Sequence, residues 1–234
     1  MFKRVLLKLS GEALSDGKME PFCNTHLLNV ANEIKEIVKE NIQVCIVVGG
    51  GNLYRGKIGV DLGMDRCIGD QMGMLATLMN SLALSNALKK VNVENIILSA
   101  LEVKGIAKQF STEDAQEALS QNKVVIYGAG TGLPYFSTDT CSALRALQSK
   151  CDAILVAKNG VDGIYSADPK KDQSAIKYDE ITYQEILEKN LQVMDLTAIS
   201  LCKENHMPLV VFNMNKTGNI VKACNGEKIG TIVK

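Results

Sequence analysis

Short apolar runs rich in β-branched side chains recur along the chain, each closed by glycine, asparagine or a charged residue. They fall at Arg4 to Leu9, Val44 to Val48, Asn95 to Ser99, Val124 to Tyr127, Ala153 to Ala157 and Leu209 to Asn213, with a weaker run at Ile229 to Val233. Runs this short and apolar on both sides predict six or seven buried strands. Between most of them apolar residues return at helical spacing, predicting helices over Leu27 to Glu40, Asp70 to Lys90, Thr112 to Gln121, Thr140 to Lys150, Tyr183 to Lys189 and Leu196 to Asn205. Strand alternating with helix predicts an α/β fold, a mostly parallel sheet covered by helices on both faces. The helix over Asp70 to Lys90 is apolar nearly all round, with Met72, Met74, Leu75, Leu78, Met79 and Leu82 among its residues. A helix with so little polar face belongs in a core or in a subunit interface.

In such sheets ligands sit beyond the carboxyl ends of the strands. Gly49-Gly50-Gly51-Asn52 follows the second strand, where glycine permits positive φ and lets bare N–H groups approach an anion. Lys8-Leu9-Ser10-Gly11 follows the first, Gly128-Ala129-Gly130-Thr131-Gly132 the fourth, and Lys158-Asn159-Gly160-Val161-Asp162-Gly163 the fifth. Four glycine-bearing loops are therefore expected along one edge. No G-x-x-x-x-G-K-[ST] is present, and Asn52-Leu53-Tyr54 after the glycines breaks G-x-G-x-x-G, which excludes the P-loop and dinucleotide-binding fingerprints.

Lys8, at a strand end beside Ser10 and Gly11, is the type of fixed cation that phosphoryl transfer needs. Arg55 offers a second cation with planar geometry. Asp70 opens the long helix, either capping it or accepting hydrogen bonds from sugar hydroxyls. The segment Gly130 to Asp139 joins aromatic and hydroxyl residues before a helix start, suited to base, ribose and anion; Ser137, Thr138 or Asp139 could equally cap that helix. Asp139 is placed to orient Lys8 or a metal. Tyr165, within Asp162 to Pro169, offers a ring to cover a flat base, unless that segment is an ordinary loop.

Composition narrows the partners. Across 234 residues, 26 basic and 26 acidic side chains give a net charge of +0, so no global field argues for nucleic acid or an anionic membrane. The 7 cysteines form no C-x-x-C and read as reduced and buried, and only 2 histidines are present, which argues against structural zinc. Met1 to Leu9 lacks the length and cleavage site of a signal peptide, and no apolar stretch is long enough to span a bilayer. A single cytoplasmic domain is expected.

Longer blocks carry a resemblance. Lys8-Leu9-Ser10-Gly11-Glu12-Ala13-Leu14, Gly49-Gly50-Gly51-Asn52-Leu53-Tyr54-Arg55-Gly56, Gly69-Asp70-Gln71-Met72-Gly73-Met74-Leu75-Ala76-Thr77, Gly128 to Asp139, Val161 to Pro169, Val193-Met194-Asp195-Leu196-Thr197 and Phe212-Asn213-Met214-Asn215 occur in that order. Together they resemble the bacterial uridylate kinases of the amino acid kinase family over essentially the whole chain. The resemblance implies a three-layer α/β/α sandwich, a homohexamer, and transfer of the γ-phosphoryl group of ATP, carried with Mg2+, to UMP.

By motif position it implies ATP contacts from Lys8, Leu9, Ser10, Gly11, Gly51, Arg55, Asn159, Tyr165 and Asp168. UMP contacts would come from Gly50, Asp70, Thr131, Gly132, Leu133, Pro134, Tyr135, Phe136, Ser137 and Thr138. Catalytic roles would fall to Lys8, Arg55, Asp139 and Asp195, with no metal site built from the protein itself. UMP would occupy residues 1–150 and ATP residues 151–234 of one domain. The loop Lys158 to Asp162 is one residue longer than the usual family loop, and Asp16-Gly17-Lys18-Met19-Glu20-Pro21 stands where many members carry a glycine-rich segment tied to GTP activation. Two other readings stay open: a family member acting on a carboxylate or carbamate, against which Thr131 to Thr138 argues, and an oxyanion storage protein, against which Lys8 with Asp139 argues.

Overall fold

The computed structural model describes residues 2–17, 20–169, 171–172 and 174–234. Lys18 and Met19, within the Asp16 to Pro21 segment, lie outside the described residues, as does Met1. In chain order the elements are β1 (Arg4–Leu9), a 3-10 turn (Gly11–Leu14), α1 (Asn24–Lys39), β2 (Gln43–Val48), α2 (Gly56–Asp61), α3 (Arg66–Lys90), β3 (Asn95–Ser99), β4 (Lys108–Gln109), α4 (Thr112–Ser120) and β5 (Val124–Gly128). There follow α5 (Thr138–Gln148), β6 (Ala153–Lys158), β7 (Ile164–Tyr165), β8 (Lys177–Tyr178), β9 (Glu180–Ile181), α6 (Tyr183–Glu188), α7 (Leu196–Glu204), β10 (Leu209–Asn213), α8 (Asn219–Cys224) and β11 (Thr231–Val233).

The expected sheet forms, with nine strands in the order β4-β3-β5-β2-β1-β6-β10-β11-β9. From β4 to β10 every neighbouring pair is parallel; β11 runs antiparallel to β10 and carries β9 parallel to itself. Alternation along each strand divides the core into two layers. Leu6, Val47, Tyr127, Ile154 and Val156 pack under α4, α5, α6 and α7. Val5, Leu7, Leu9, Ile46, Leu155 and Phe212 pack under α1, α3 and α8. This is an α/β/α arrangement, and it brings the carboxyl ends of β1, β2, β3, β5, β6 and β10 to one edge.

Side chains stop and start the helices. Ser111, Ser137 and Asp195 accept backbone N–H bonds at the first turns of α4, α5 and α7, and Thr182 with Glu185 forms a capping box on α6. The helix expected from Asp70 starts at Arg66 instead, because Asp65 is the cap, accepting from the N–H groups of Cys67 and Ile68. Asp70 therefore lies one turn inside the helix, and the capping role considered for it is withdrawn. The last strand begins at Thr231 rather than Ile229: at Gly230 the chain passes so close to Val211 that an added Cβ would fall 2.0 Å from its carbonyl oxygen.

Helix α3 divides its apolar residues between the core and the surface. Met74, Leu78, Leu84 and Leu88 are buried, while Ile68, Met72, Leu75, Met79 and Leu82 form an exposed stripe at alternating spacings of four and three. All 7 cysteines are free; five are buried, whereas Cys23 and Cys67 are only half-buried.

Phe212, 0% exposed in β10, ties the sheet to the α1 and α8 layer. Phe212→Ala is expected to lower unfolding free energy by about 3–5 kcal/mol, read from the denaturant midpoint; a change within error would contradict this packing.

Candidate active site

Strand β1 carries Lys8 to the carboxyl edge on the α5 side of the sheet, where its Nζ lies 2.6 Å from Asp139 Oδ1. Both side chains are largely enclosed, at 12% and 21% exposure. Asp139 stands in the first turn of α5, whose backbone amides favour a carboxylate. Ser137 caps that helix, its hydroxyl accepting from the N–H groups of Asp139 (2.9 Å) and Thr140 (3.2 Å) while donating to Asp195. Asp195 also accepts from Thr140 Oγ1 at 3.0 Å and from the Ala198 N–H at 3.0 Å, as the cap of α7. Burial works against the charge on Asp195, but the bonds from Ser137, Ala198 and Thr140 prevail and hold its pKa below the usual carboxylate range. The two helix starts are thereby pinned together behind Lys8.

The glycine loop beside them follows a different rule from the one expected. Gly49, Gly50 and Gly51 all avoid positive φ; what glycine provides here is close approach. A Cβ on Gly50 would fall 3.0 Å from Ala76 Cβ and 3.1 Å from the Gly73 carbonyl oxygen of α3. A Cβ on Gly11 would fall 2.7 Å from the Gly49 carbonyl oxygen and 2.2 Å from Asn52 Oδ1. Gly51 faces open space. The loop is held by Asn80, fully buried in α3, which donates from Nδ2 to the Gly49 carbonyl (2.6 Å) and to Asn52 Oδ1 (2.7 Å). Next to it Ser10 Oγ is buried with no hydrogen-bond partner among the described residues. Such a group is left for a water or a ligand atom to satisfy.

Two cavities open on this edge and share Gly51. The larger, about 680 Å³, is lined by Glu12, Arg55, Asn159, Asn215 and Thr217 among others. The smaller, about 150 Å³, is lined by Gly50, Tyr54, Asp70, Thr131, Phe136, Ser137 and Thr138 among others. Arg55 pairs with Glu12 at 2.5 Å and donates from Nε to the Gly51 carbonyl at 3.2 Å. Asp70 accepts from Arg66 Nε (2.9 Å) and from the Tyr135 N–H (2.7 Å), which fastens α3 to the segment after β5.

Not every expected residue joins these cavities. Leu133 and Tyr135 are exposed, and neither they nor Gly132 and Pro134 line either one. Tyr165 donates its hydroxyl to Asp162 at 2.6 Å on the small β7–β8 hairpin, and Asp168 lies 3.9 Å from Lys171 Nζ. Leu9 is buried and contributes its carbonyl, which accepts from the Gly49 N–H at 2.9 Å. Sequence reasoning missed Asn80 and Asn52; an isolated amide within the apolar α3 pattern was the available signal. It also missed Asn215, whose Nδ2 donates to Asn159 Oδ1 at 2.7 Å.

The model of the amino acid kinase family matches residues 3–213. This chain belongs to the amino acid kinase family. Within that family, the uridylate kinase of Limosilactobacillus reuteri is 49% identical over 233 residues, spanning 100% of this chain and 97% of its own. The solved UMP kinase from Bacillus anthracis matches with a TM-score of 0.97 at 39% identity, covering 100% of this chain and 96% of its own. The UMP kinase from Ureaplasma parvum gives 0.96 at 41%, with 100% and 99% covered. The resemblance read from the ordered blocks and the α/β fold expected from patterning are both borne out by these matches.

Gly11 and Gly51, which follow β1 and β2 in this amino acid kinase, are expected to differ under substitution. Gly51→Ala, with no atom within 4 Å of the new Cβ, should unfold as the wild type does. Gly11→Ala meets the Gly49 backbone and should lose about 1–3 kcal/mol. Thermal unfolding of both variants checks this, and a fully stable Gly11→Ala would contradict the close approach.

Proposed function

We propose that this chain is a UMP kinase, transferring the γ-phosphoryl group of ATP to UMP to give ADP and UDP in pyrimidine nucleotide supply. The observation that carries the reading is the pair of unequal cavities that share Gly51, the smaller lined by Ser137 and Thr138 next to Asp139, which pairs with Lys8. Two nucleotides placed head to head would meet there, ATP in the larger chamber and UMP in the smaller. The ATP side is not residues 151–234 alone: Asn159, Asn215 and Thr217 face Glu12, Gly51 and Arg55 across the larger chamber, and Tyr165 and Asp168 line neither chamber. The UMP side comes from residues 1–150, with Gly50, Asp70, Thr131 and Phe136 to Thr138. The smaller chamber, with an aromatic ring, hydroxyls and a carboxylate, suits a nucleoside better than it suits an inorganic oxyanion or a bare carbamate.

The transfer is a direct in-line displacement. An oxygen of the UMP phosphate, ionised near neutral pH, attacks the γ-phosphorus as the bond to the β-bridging oxygen breaks and ADP leaves. No general base and no covalent enzyme intermediate are required. Lys8, fixed by Asp139, and Arg55 neutralise charge on the transferred group, while Ser10 Oγ and the amides of Gly11 and Gly51 orient the polyphosphate. Mg2+ carried with ATP would supply further neutralisation of the polyphosphate charge. Asp195 acts from behind, holding the starts of α5 and α7.

The exposed stripe on α3 has the spacing of a helix-packing seam and supports assembly of the chain with copies of itself, as a homohexamer. No helix among the described residues is long and apolar enough to cross a membrane, and the nucleotide substrates belong to the cytoplasm.

Lys8→Ala is expected to lower kcat by about 100-fold or more while the fold survives, measured as UMP-dependent ADP release. Wild-type-like turnover would remove Lys8 from the reaction. The same assay on wild type with CMP, glutamate and carbamate should show UMP preferred, and faster ADP release with glutamate or carbamate would overturn the assignment.

A further inference from the structure

Strand β6 ends in a second lysine. Lys8 in β1 stands in register with Val156 in β6, and Lys158 lies two residues farther along, on the same face. That face is fixed by Leu6, Ile154 and Val156, which pack under α5 and α7, so Lys158 leaves the sheet on the side occupied by Lys8 and Asp139. Its backbone is held from the other flank, paired with Asn213 and accepting at its carbonyl from the Met214 N–H at 3.0 Å. The next residue, Asn159, lines the larger cavity.

The charge around Lys158 does not balance. Asp139 is already within 2.6 Å of Lys8, and among the described residues no carboxylate lies within ion-pair distance of Lys158. Its Nζ donates instead to a neutral acceptor, the Val193 carbonyl, at 2.7 Å. Burial pushes the Lys158 pKa down and Lys8 pushes it the same way, with Asp139 opposing both. A half-buried cation whose direct acceptor is a carbonyl, and whose nearby carboxylate is already paired with Lys8, lacks the full counter-charge that enclosed charges ordinarily have. A polyphosphate in the larger cavity would bring that charge to the carboxyl ends of β1 and β6.

We propose that Lys158 is a second phosphate-directed cation of the transfer centre, resting on the Val193 carbonyl and turning to an anionic phosphate oxygen when ATP binds. The inference rests on the UMP kinase reading. It assigns a role to the residue that ends β6, and it gives the carboxyl ends of β1 and β6 two lysines against the single carboxylate of Asp139, a net positive charge where negative charge is transferred.

The test uses the full chain with Lys158→Met, which keeps the stem and removes the charge, and Lys158→Arg, which keeps the charge. At saturating ATP and UMP, Lys158→Met should lose about 100-fold in kcat, with KM for UMP within about threefold and an unchanged thermal midpoint. Lys158→Arg should recover at least about tenfold of that loss. A smaller fall than about 30-fold in Lys158→Met, a fall accompanied by a lowered thermal midpoint, or no recovery in Lys158→Arg would each overturn the assignment. Wild-type protein without UMP-dependent ADP release would defeat the kinase reading itself. Active wild type with an equally active Lys158→Met would defeat only the role of Lys158.

Discussion

The ion pair between Lys8 and Asp139 fastens the end of β1 to the start of α5 at the carboxyl edge of the sheet, and the arrangement of the cleft depends on it. An enclosed ammonium is costly unless a charge of opposite sign lies against it. Asp139 supplies that charge from the first turn of α5, where the helix amides in turn favour its carboxylate. The position of α5 is therefore tied to the position of β1. Ser137 and Thr140 extend the tie to Asp195 and α7, so that one lysine is backed by two helix starts. In the proposed transfer a cation held so firmly would meet developing phosphate charge without first having to reorganise, which is the chief means by which such a site lowers a barrier.

Space is the complementary requirement. Charge can act on phosphates only if they come close, and close approach is secured by leaving side chains out. Gly11, Gly49 and Gly50 let β1, β2 and α3 converge, Asn80 fixes the loop by its carbonyl, and Gly51 leaves its side of the cleft open. The same convergence sets the size of the two cavities, so backbone packing in the core and substrate geometry at the edge are one problem. The Ser10 hydroxyl, buried with no partner among the described residues, lies where these elements meet. Its missing partner is consistent with a surface shaped for an anion.

Much of the fold was legible because parallel strands buried on both faces leave plain apolar runs. Arg4–Leu9, Asn95–Ser99 and Leu209–Asn213 occur with the bounds read from the sequence. The two-residue strands β4, β7, β8 and β9 were not legible, since two residues carry no period. The start of α3 was misplaced because Asp65 and Asp70 are both plausible caps, and only backbone direction distinguishes them. The glycine loop was located correctly but for the wrong physical reason, conformational freedom rather than contact distance. Long-range polar ties, such as Asn80 to Gly49, Ser137 to Asp195 and Lys158 to Val193, were invisible because their partners are far apart in the chain. Resemblance to a family supplied the expectations for individual site residues that spacing alone left ambiguous, while the two chambers required coordinates.

The central claim is that the polyphosphate of ATP and the phosphate of UMP meet over Gly51, against Lys8. A crystal structure of the chain with UMP and a non-hydrolysable ATP analogue tests it most directly. The account predicts the γ-phosphate within hydrogen-bond reach of Lys8 Nζ and of the Gly11 or Gly51 amide, with the UMP phosphate facing it in line from the chamber of Asp70 and Thr138. Nucleotides bound in separate places, or a γ-phosphate remote from Lys8, would contradict it.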